Sequence, residues 1–129
     1  MKVLVVDDEA TIRTLLGRFL EANGHQALFA ENGQQALGLV RQEPAAIDAI
    51  FCDVRMPVMD GLEFIRCLRQ EGLTIPVILV SGQIALGKAD ATQAGACGIL
   101  HKPFRLGDVD AMLRSAAPRS GRQDGEARP

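Results

Sequence analysis

The sequence predicts a doubly wound α/β domain, a parallel sheet with helices on both of its faces. Short apolar runs that end at polar or turn residues recur along the chain, and segments with the spacing of an amphipathic helix separate them. Strand and helix alternate about five times. Because crossovers between parallel strands are right-handed, this alternation places helices on both faces of one sheet.

Five short segments have the composition of buried parallel strands. Strands that helices cover on both faces are apolar along most of their length, without the alternation of a half-exposed strand. The predicted strands span residues 3–6, 25–30, 47–52, 77–80 and 98–100.

Between the strands, apolar residues recur at helical spacing and predict one buried stripe on each of four helices. The stripes are formed by Ile12, Leu15, Leu16, Phe19 and Leu20; by Ala36, Leu37 and Val40; by Leu62, Ile65 and Leu68; and by Leu106, Val109 and Leu113.

Turn residues stand where the predicted helices should begin and end. Gly24 ends the first helix, Gly33 opens the second, and Gly72 follows the third. In the segment 83–97, Gly87 lowers the helix propensity and many alanines offer little bulk for the core. We therefore expect only a short helix there, Lys88–Ala94.

Bulk properties indicate a cytoplasmic domain. The chain has 129 residues with 47% hydrophobic and 23% charged residues, which suits a single folded domain. A net charge of −2 disfavours direct binding to nucleic acid, and no basic run points to a membrane surface. Three cysteines without CxxC spacing predict reduced thiols, and the first apolar run is too short for an export signal.

The C-terminal segment differs in composition from the rest of the chain. It contains Pro, Gly and mixed charges but no bulky apolar residue that could anchor it to a core. We expect one domain over residues 1–116 and a disordered tail or linker over residues 117–129.

Charged and hydroxyl side chains stand at the ends of the predicted strands, where parallel sheets bind ligands. Asp7 and Asp8 follow the first strand, Asp53 the third, Ser81 the fourth and Lys102 the fifth. If the first and third strands are neighbours, the carboxylates converge, and two charges ~4 Å apart repel by about 4 kcal/mol at an effective dielectric of 20. Such a cluster needs a cation or raised pKa values.

Oxygen ligands without histidine or cysteine favour a hard cation, so the sequence predicts Mg²⁺, with Mn²⁺ as a substitute. A carboxylate beside the metal can attack phosphorus, and Asp53 is placed for that role. Phosphoryl transfer needs positioning and charge stabilisation, which Lys102 can supply as a cation and Ser81 as a hydrogen-bond donor.

The segments that carry these residues are VLVVDDE, FCDVRMPVMDG, ILVSG and AGACGILHKPF. In order and spacing they resemble a response-regulator receiver domain, similar to the chemotaxis response regulator, and the resemblance covers residues 2–115. It implies a flavodoxin-like, five-stranded sheet of order 2-1-3-4-5.

The resemblance also implies a site and its partners. Mg²⁺ would be held by Asp7, Asp8, Asp53 and the backbone carbonyl of Arg55. Asp53 would accept phosphate from a histidine kinase or a histidine phosphotransfer protein, while Lys102 and Ser81 hold the phosphoryl group. Slow autodephosphorylation and a changed partner-binding surface would follow. The resemblance further implies an output domain or protein of unknown type, a monomer or phosphorylation-dependent dimer, and a cis bond between Lys102 and Pro103.

One position departs from the family, and two other functions stay open. Ile99 stands three residues before Lys102, where the family usually has Tyr or Phe, so the aromatic half of the usual coupling is absent. This favours a degenerate, receiver-like binding module that does not turn over phosphate, although the five strand-end residues weigh against it. A Mg²⁺-dependent phosphatase is disfavoured because the first strand ends in DDE, not DxD, and no cap domain fits in the length.

Overall fold

The computed structural model describes residues 1–83 and 85–120, and strands and helices alternate throughout. Five parallel strands form one sheet in the order β2-β1-β3-β4-β5, which confirms the predicted fold class and strand order. The strands are β1 (Lys2–Val6), β2 (Gln26–Ala30), β3 (Ala49–Asp53), β4 (Val77–Ser81) and β5 (Gly98–His101). The helices are α1 (Ala10–Ala22), α2 (Gly33–Gln42), α3 (Gly61–Gln70), α4 (Lys88–Ala94) and α5 (Leu106–Ser120).

The two faces of the sheet bury separate apolar clusters. On β3, Ile50 and Cys52 belong to the cluster under α2, α3 and α4, whereas Ala49 and Phe51 belong to the cluster under α1 and α5. The alternation follows from the pleat, since successive side chains point to opposite faces. Both faces are covered, as the continuous apolar strands predicted.

Two details of the predicted elements were wrong. The third strand begins at Ala49, because the Asp48 carboxylate accepts a hydrogen bond from the Lys2 backbone amide at 2.7 Å just before the strand starts. Leu15, predicted within the buried stripe of α1, is 43% exposed. It lies one residue from the buried Leu16, and successive positions on a helix are about 100° apart, so Leu15 falls on the flank of the stripe.

Helix α5 continues to Ser120, past the predicted end of the domain at Ala116. The rest of the predicted tail, residues 121–129, lies outside the described residues, so the domain boundary stays a prediction. No helix within the described part of the chain combines the length and the apolar character needed to cross a membrane.

Candidate functional site

The sheet order brings the predicted site residues to one edge. Asp7 follows β1, Asp53 is the last residue of β3, Ser81 is the last residue of β4, and Lys102 follows β5. The last residue of β3 lies level with the end of β4, because Asp53 pairs with Val80 of β4. Because β1 and β3 pair directly, the two acidic strand ends become neighbours.

Three carboxylates converge at this edge. One oxygen from each of Asp7, Asp8 and Asp53 lies within 4.8 Å of the other two. Asp7 is 2% exposed and Asp53 is 6% exposed, whereas Asp8 is open to solvent. Loss of solvation, reinforced by the charge of Asp7, raises the pKa of Asp53 from 3.8 to about 6. Burial likewise raises the pKa of Asp7.

Lys102 places its ammonium group among these carboxylates. Its Nζ lies 3.5 Å from both Asp7 Oδ2 and Asp53 Oδ1, and 3.1 Å from Glu9 Oε1. Burial alone would lower the pKa of Lys102, but the surrounding carboxylates, Asp53 foremost, raise it overall. The bond from Lys102 to Pro103 is cis, as predicted.

Ser81 completes a pocket beside Asp53. The serine is 1% exposed, and its Oγ accepts a hydrogen bond from the backbone amide of Gln83 at 2.9 Å, which leaves the hydroxyl proton to be donated elsewhere. Asp53, Ser81 and Lys102 all line a cavity of about 470 Å³. The cavity therefore joins a carboxylate, a hydroxyl donor and a cation.

Two exposed side chains that line this cavity, those of Arg55 and Gln83, form a hydrogen-bonded bridge. With the Gln83 amide turned so that its oxygen faces Arg55, Oε1 accepts from Nη2 of Arg55 at 2.8 Å and from Nε at 2.9 Å. Both residues line the cavity of Asp53, and both also line the neighbouring cavity beside Asp8. The bridge thus joins the loop after β3 to the loop after β4.

The carboxylates fit a hard divalent cation. All three donors are oxygens, and a cation between them would offset both the mutual repulsion and the cost of burying Asp7 and Asp53. Asp7 is oriented for this role, because its Oδ1 accepts a hydrogen bond from the Glu9 amide at 2.9 Å. The backbone carbonyl of Arg55 as a fourth ligand stays a prediction.

Two residues that the sequence did not single out also belong to the site. Glu9 contacts Lys102, and Arg13 donates a hydrogen bond to the backbone oxygen of Asp7 at 2.7 Å. The position of Glu9 directly after the Asp pair was a usable signal. Nothing in the sequence pointed to Arg13, which reaches back from the first turn of α1.

Gly61 supports the backbone around Asp53. Its amide donates to the Val54 oxygen at 2.9 Å, and a Cβ at this position would lie 3.1 Å from Val54 Cα and inside van der Waals distance of the Asp53 backbone oxygen. The third helix can therefore begin directly against the end of β3 only because residue 61 has no side chain.

Gly61→Ala is expected to destabilise the domain by about 1 to 3 kcal/mol, the usual cost of overpacking a close contact. Urea denaturation measures the free energy of unfolding. Gly38→Ala is the matched control, because Gly38 is also helical but has open space around its Cβ position. That change should be neutral or stabilise by up to about 1 kcal/mol. Equal effects of the two changes would argue against the packing role of Gly61.

Asp53 is expected to reduce the stability of the metal-free domain at neutral pH. Between pH 3.8 and about 6 the folded state binds more protons at this group than the unfolded state does, so stability falls as the pH rises through that range. The loss is complete by pH 7 and amounts to about 3 kcal/mol at most. Asp53→Asn should therefore be more stable than the wild type at pH 7 in EDTA, with the difference vanishing near pH 4. A difference that grows on acidification would contradict this.

The Ile99 side chain points away from the cluster under α1 and α5, to the other face of the sheet. It is 8% exposed and packs in the cluster under α2, α3 and α4. An isoleucine therefore occupies this position as a core residue.

Comparison with known proteins agrees with this site. A family model described as the response regulator receiver domain matches residues 3–114. The chain is 36% identical over 126 residues to the response regulator MprA of Mycolicibacterium vanbaalenii, covering 97% of this chain and 54% of that protein. It is 35% identical over 128 residues to MprA of Mycobacterium ulcerans, covering 98% of this chain and 54% of that protein. The chain thus spans about half the length of these relatives.

Solved structures show the same fold. The receiver domain of the Francisella response regulator 1452 superposes with a TM-score of 0.84 at 29% identity, covering 92% of this chain and 98% of that one. A receiver domain from Clostridium thermocellum superposes with a TM-score of 0.85 at 28% identity, covering 92% of this chain and 94% of that one. The parallel sheet, the acidic strand ends and the family match agree, and the chain belongs to the response regulator receiver domains.

Proposed function

We propose that this chain is a phosphorylation-controlled switch of a two-component system in which Asp53 is the covalent phosphoacceptor. One observation carries the proposal. The buried Asp53 carboxylate lines a cavity with Ser81 and with Lys102, whose ammonium group lies 3.5 Å away, and it shares a cluster with two further carboxylates. This set supplies a nucleophile, a hydroxyl donor, a cation and ligands for a metal.

The chemistry follows from these positions. With a pKa of about 6, Asp53 is mostly ionised at neutral pH and can attack phosphorus. A new bond forms between a carboxylate oxygen and phosphorus while the bond from phosphorus to the donor nitrogen breaks, and the electron pair returns to the donor imidazole. Lys102 and the Ser81 hydroxyl stabilise the charge on the phosphoryl oxygens. A bound Mg²⁺, held by Asp7, Asp8 and Asp53, would neutralise charge on the transferred group.

The proposed switch needs a protein that donates the phosphoryl group and a domain or protein that responds to it. A receiver domain implies a histidine kinase as partner, and a histidine phosphotransfer protein would present the same phosphohistidine chemistry. Phosphorylation then shifts the population toward a conformation with a changed partner-binding surface. Because Ile99 occupies the usual aromatic position, we assign the coupling to movement of Ser81 toward the phosphoryl group. The output domain or protein, a dimer that forms on phosphorylation and a cytoplasmic location also belong to the proposal.

The experiment uses the full chain with acetyl phosphate, followed by intact mass over time. One added phosphoryl group is expected with Mg²⁺ and none with EDTA. A lack of adduct from both acetyl phosphate and a phosphohistidine donor would instead favour the binding module. Continuous release of phosphate from unrelated phosphate esters would favour a phosphatase.

The bridge between Arg55 and Gln83 is expected to slow hydrolysis of the phosphorylated protein. The two side chains line the cavity of Asp53 and contact each other, and on this proposal they limit the approach of water to phosphorus. In the double variant Arg55→Ala, Gln83→Ala, loss of the phosphoryl group should be faster by up to about tenfold, which corresponds to roughly 1.4 kcal/mol of barrier. The decay of the adduct after donor removal measures this rate.

A matched control replaces an arginine and a glutamine that do not line the cavity, Arg66→Ala with Gln70→Ala on the exposed side of α3. That pair should leave the decay unchanged. If the bridge variant decays no faster than this control, the bridge does not restrict water.

A further inference from the structure

The shortest charged contact of Lys102 is with a residue outside the predicted metal and phosphoryl site. Glu9 Oε1 lies 3.1 Å from Nζ, whereas Asp7 Oδ2 and Asp53 Oδ1 both lie at 3.5 Å. The Glu9 side chain is 60% exposed and the Lys102 side chain is 23% exposed. Glu9 therefore meets the ammonium group from the solvent side of the site.

Glu9 is placed for this contact by the start of α1. It is the N-cap residue of the helix with an extended backbone, yet its side chain makes no capping hydrogen bond. Its backbone amide is anchored on Asp7 Oδ1 at 2.9 Å. An N-terminal cap normally uses its side chain to satisfy a helix amide. Here the side chain turns to Lys102 instead.

We propose that Glu9 is a positioning residue that holds Lys102 at the mouth of the site before phosphorylation and competes with the phosphoryl group for it. An ammonium group has three N–H donors, and three carboxylates surround it in the resting state. A phosphoryl group on Asp53 brings oxygens that need at least one of these donors. This inference rests on the proposed function of Asp53.

When a phosphoryl group forms on Asp53, Lys102 loses its contact with Glu9 and keeps its contacts with the buried carboxylates. Asp7 is buried, so its carboxylate needs a cation beside it, and water cannot replace the ammonium group there at low cost. Glu9 is exposed, and water can replace the ammonium group around its carboxylate. The exposed ion pair thus opposes the capture of Lys102 by the phosphoryl group, but only weakly.

The test is Glu9→Gln, which keeps the length of the side chain and removes its charge. At saturating Mg²⁺, adduct formation from acetyl phosphate should be faster by about two- to fivefold, the range expected for loss of an exposed ion pair. Glu31→Gln is the matched control, because Glu31 is an exposed carboxylate directly after β2 at the same edge of the sheet. It should change the rate little. Thermal unfolding of each variant verifies that both are folded.

A double-variant cycle shows whether Glu9 acts through Lys102. If it does, Glu9→Gln has no effect on the rate in a Lys102→Ala background, assayed at a higher donor concentration. If Glu9 acted only through general repulsion of an anionic donor, Glu9→Gln would still speed adduct formation in the Lys102→Ala background, and Glu31→Gln would speed it as well. Either of these two results would overturn the inference.

The failures of the two proposals are distinguishable. A wild-type protein that forms the adduct at the same rate as Glu9→Gln overturns the role of Glu9 and leaves the function of Asp53 intact. A wild-type protein that forms no adduct overturns both.

Discussion

Asp53→Asn is expected to abolish the phosphoryl adduct under conditions in which the wild type is fully modified. An asparagine amide keeps the shape of the side chain but cannot form a stable acyl phosphate. Asp53 is the carboxylate that lines the cavity with Ser81 and Lys102, whereas Asp7 holds the Glu9 amide on one oxygen and faces Lys102 with the other. Intact mass after incubation with acetyl phosphate and Mg²⁺ gives the result directly.

Asp110→Asn is a suitable control for this loss. Asp110 lies on α5 and pairs with Arg114 one helical turn away, so its replacement leaves the site unaltered. The control should take up one phosphoryl group at the wild-type rate. A full adduct on Asp53→Asn would place the acceptor elsewhere and contradict the proposed role.

Lys102→Ala is expected to slow adduct formation on the order of 10²-fold, the loss typical of removing one preorganised donor to developing charge. The ammonium group is the cation that contacts both Asp7 and Asp53, and without it the transferred oxygens would rely on the metal and Ser81. A time course of intact mass at saturating Mg²⁺ measures the rate constant.

Lys88→Ala is the control for the general loss of a positive charge, because Lys88 is an exposed lysine at the start of α4. Its rate should stay within about twofold of the wild type, a difference of roughly 0.4 kcal/mol in the barrier. Equal rates for Lys102→Ala and Lys88→Ala would remove Lys102 from the reaction.

The residues that we propose for phosphoryl transfer are also expected to reduce the stability of the domain. Burial raises the pKa of Asp53 because the charged form loses its hydration, and Asp7 adds repulsion. A domain of this size has a net stability of only about 5 to 15 kcal/mol, so this cost is a large fraction. We therefore expect Mg²⁺ to stabilise the wild type more than Asp53→Asn.

The strands and most helix limits could be predicted because they depend on burial, which the sequence records in its apolar pattern. The short helix Lys88–Ala94 has the predicted limits, since glycines bound it on both sides. The start of β3 could not be predicted, because Asp48 stands between apolar residues in the sequence. Only the structure shows that its carboxylate accepts a hydrogen bond from the Lys2 amide.

The convergence of the site residues was expected from the strand order that the resemblance to receiver domains implied, because that order brings the strand ends together. Contacts made by long side chains did not follow. The contact of Arg55 with Gln83 and the contact of Glu9 with Lys102 depend on side-chain rotamers. An apolar sequence pattern does not indicate these rotamers. Both contacts involve residues that line the cavity of Asp53.

The most direct test of the central claim is to locate the phosphoryl group chemically. Reduction of the adduct with borohydride converts an aspartyl phosphate to homoserine, and peptide mass spectrometry then identifies the converted position. We predict conversion at Asp53 and at no other residue. Conversion at Asp7, Asp8 or any other carboxylate, or an adduct that yields no homoserine, would contradict the assignment of Asp53 as the covalent acceptor.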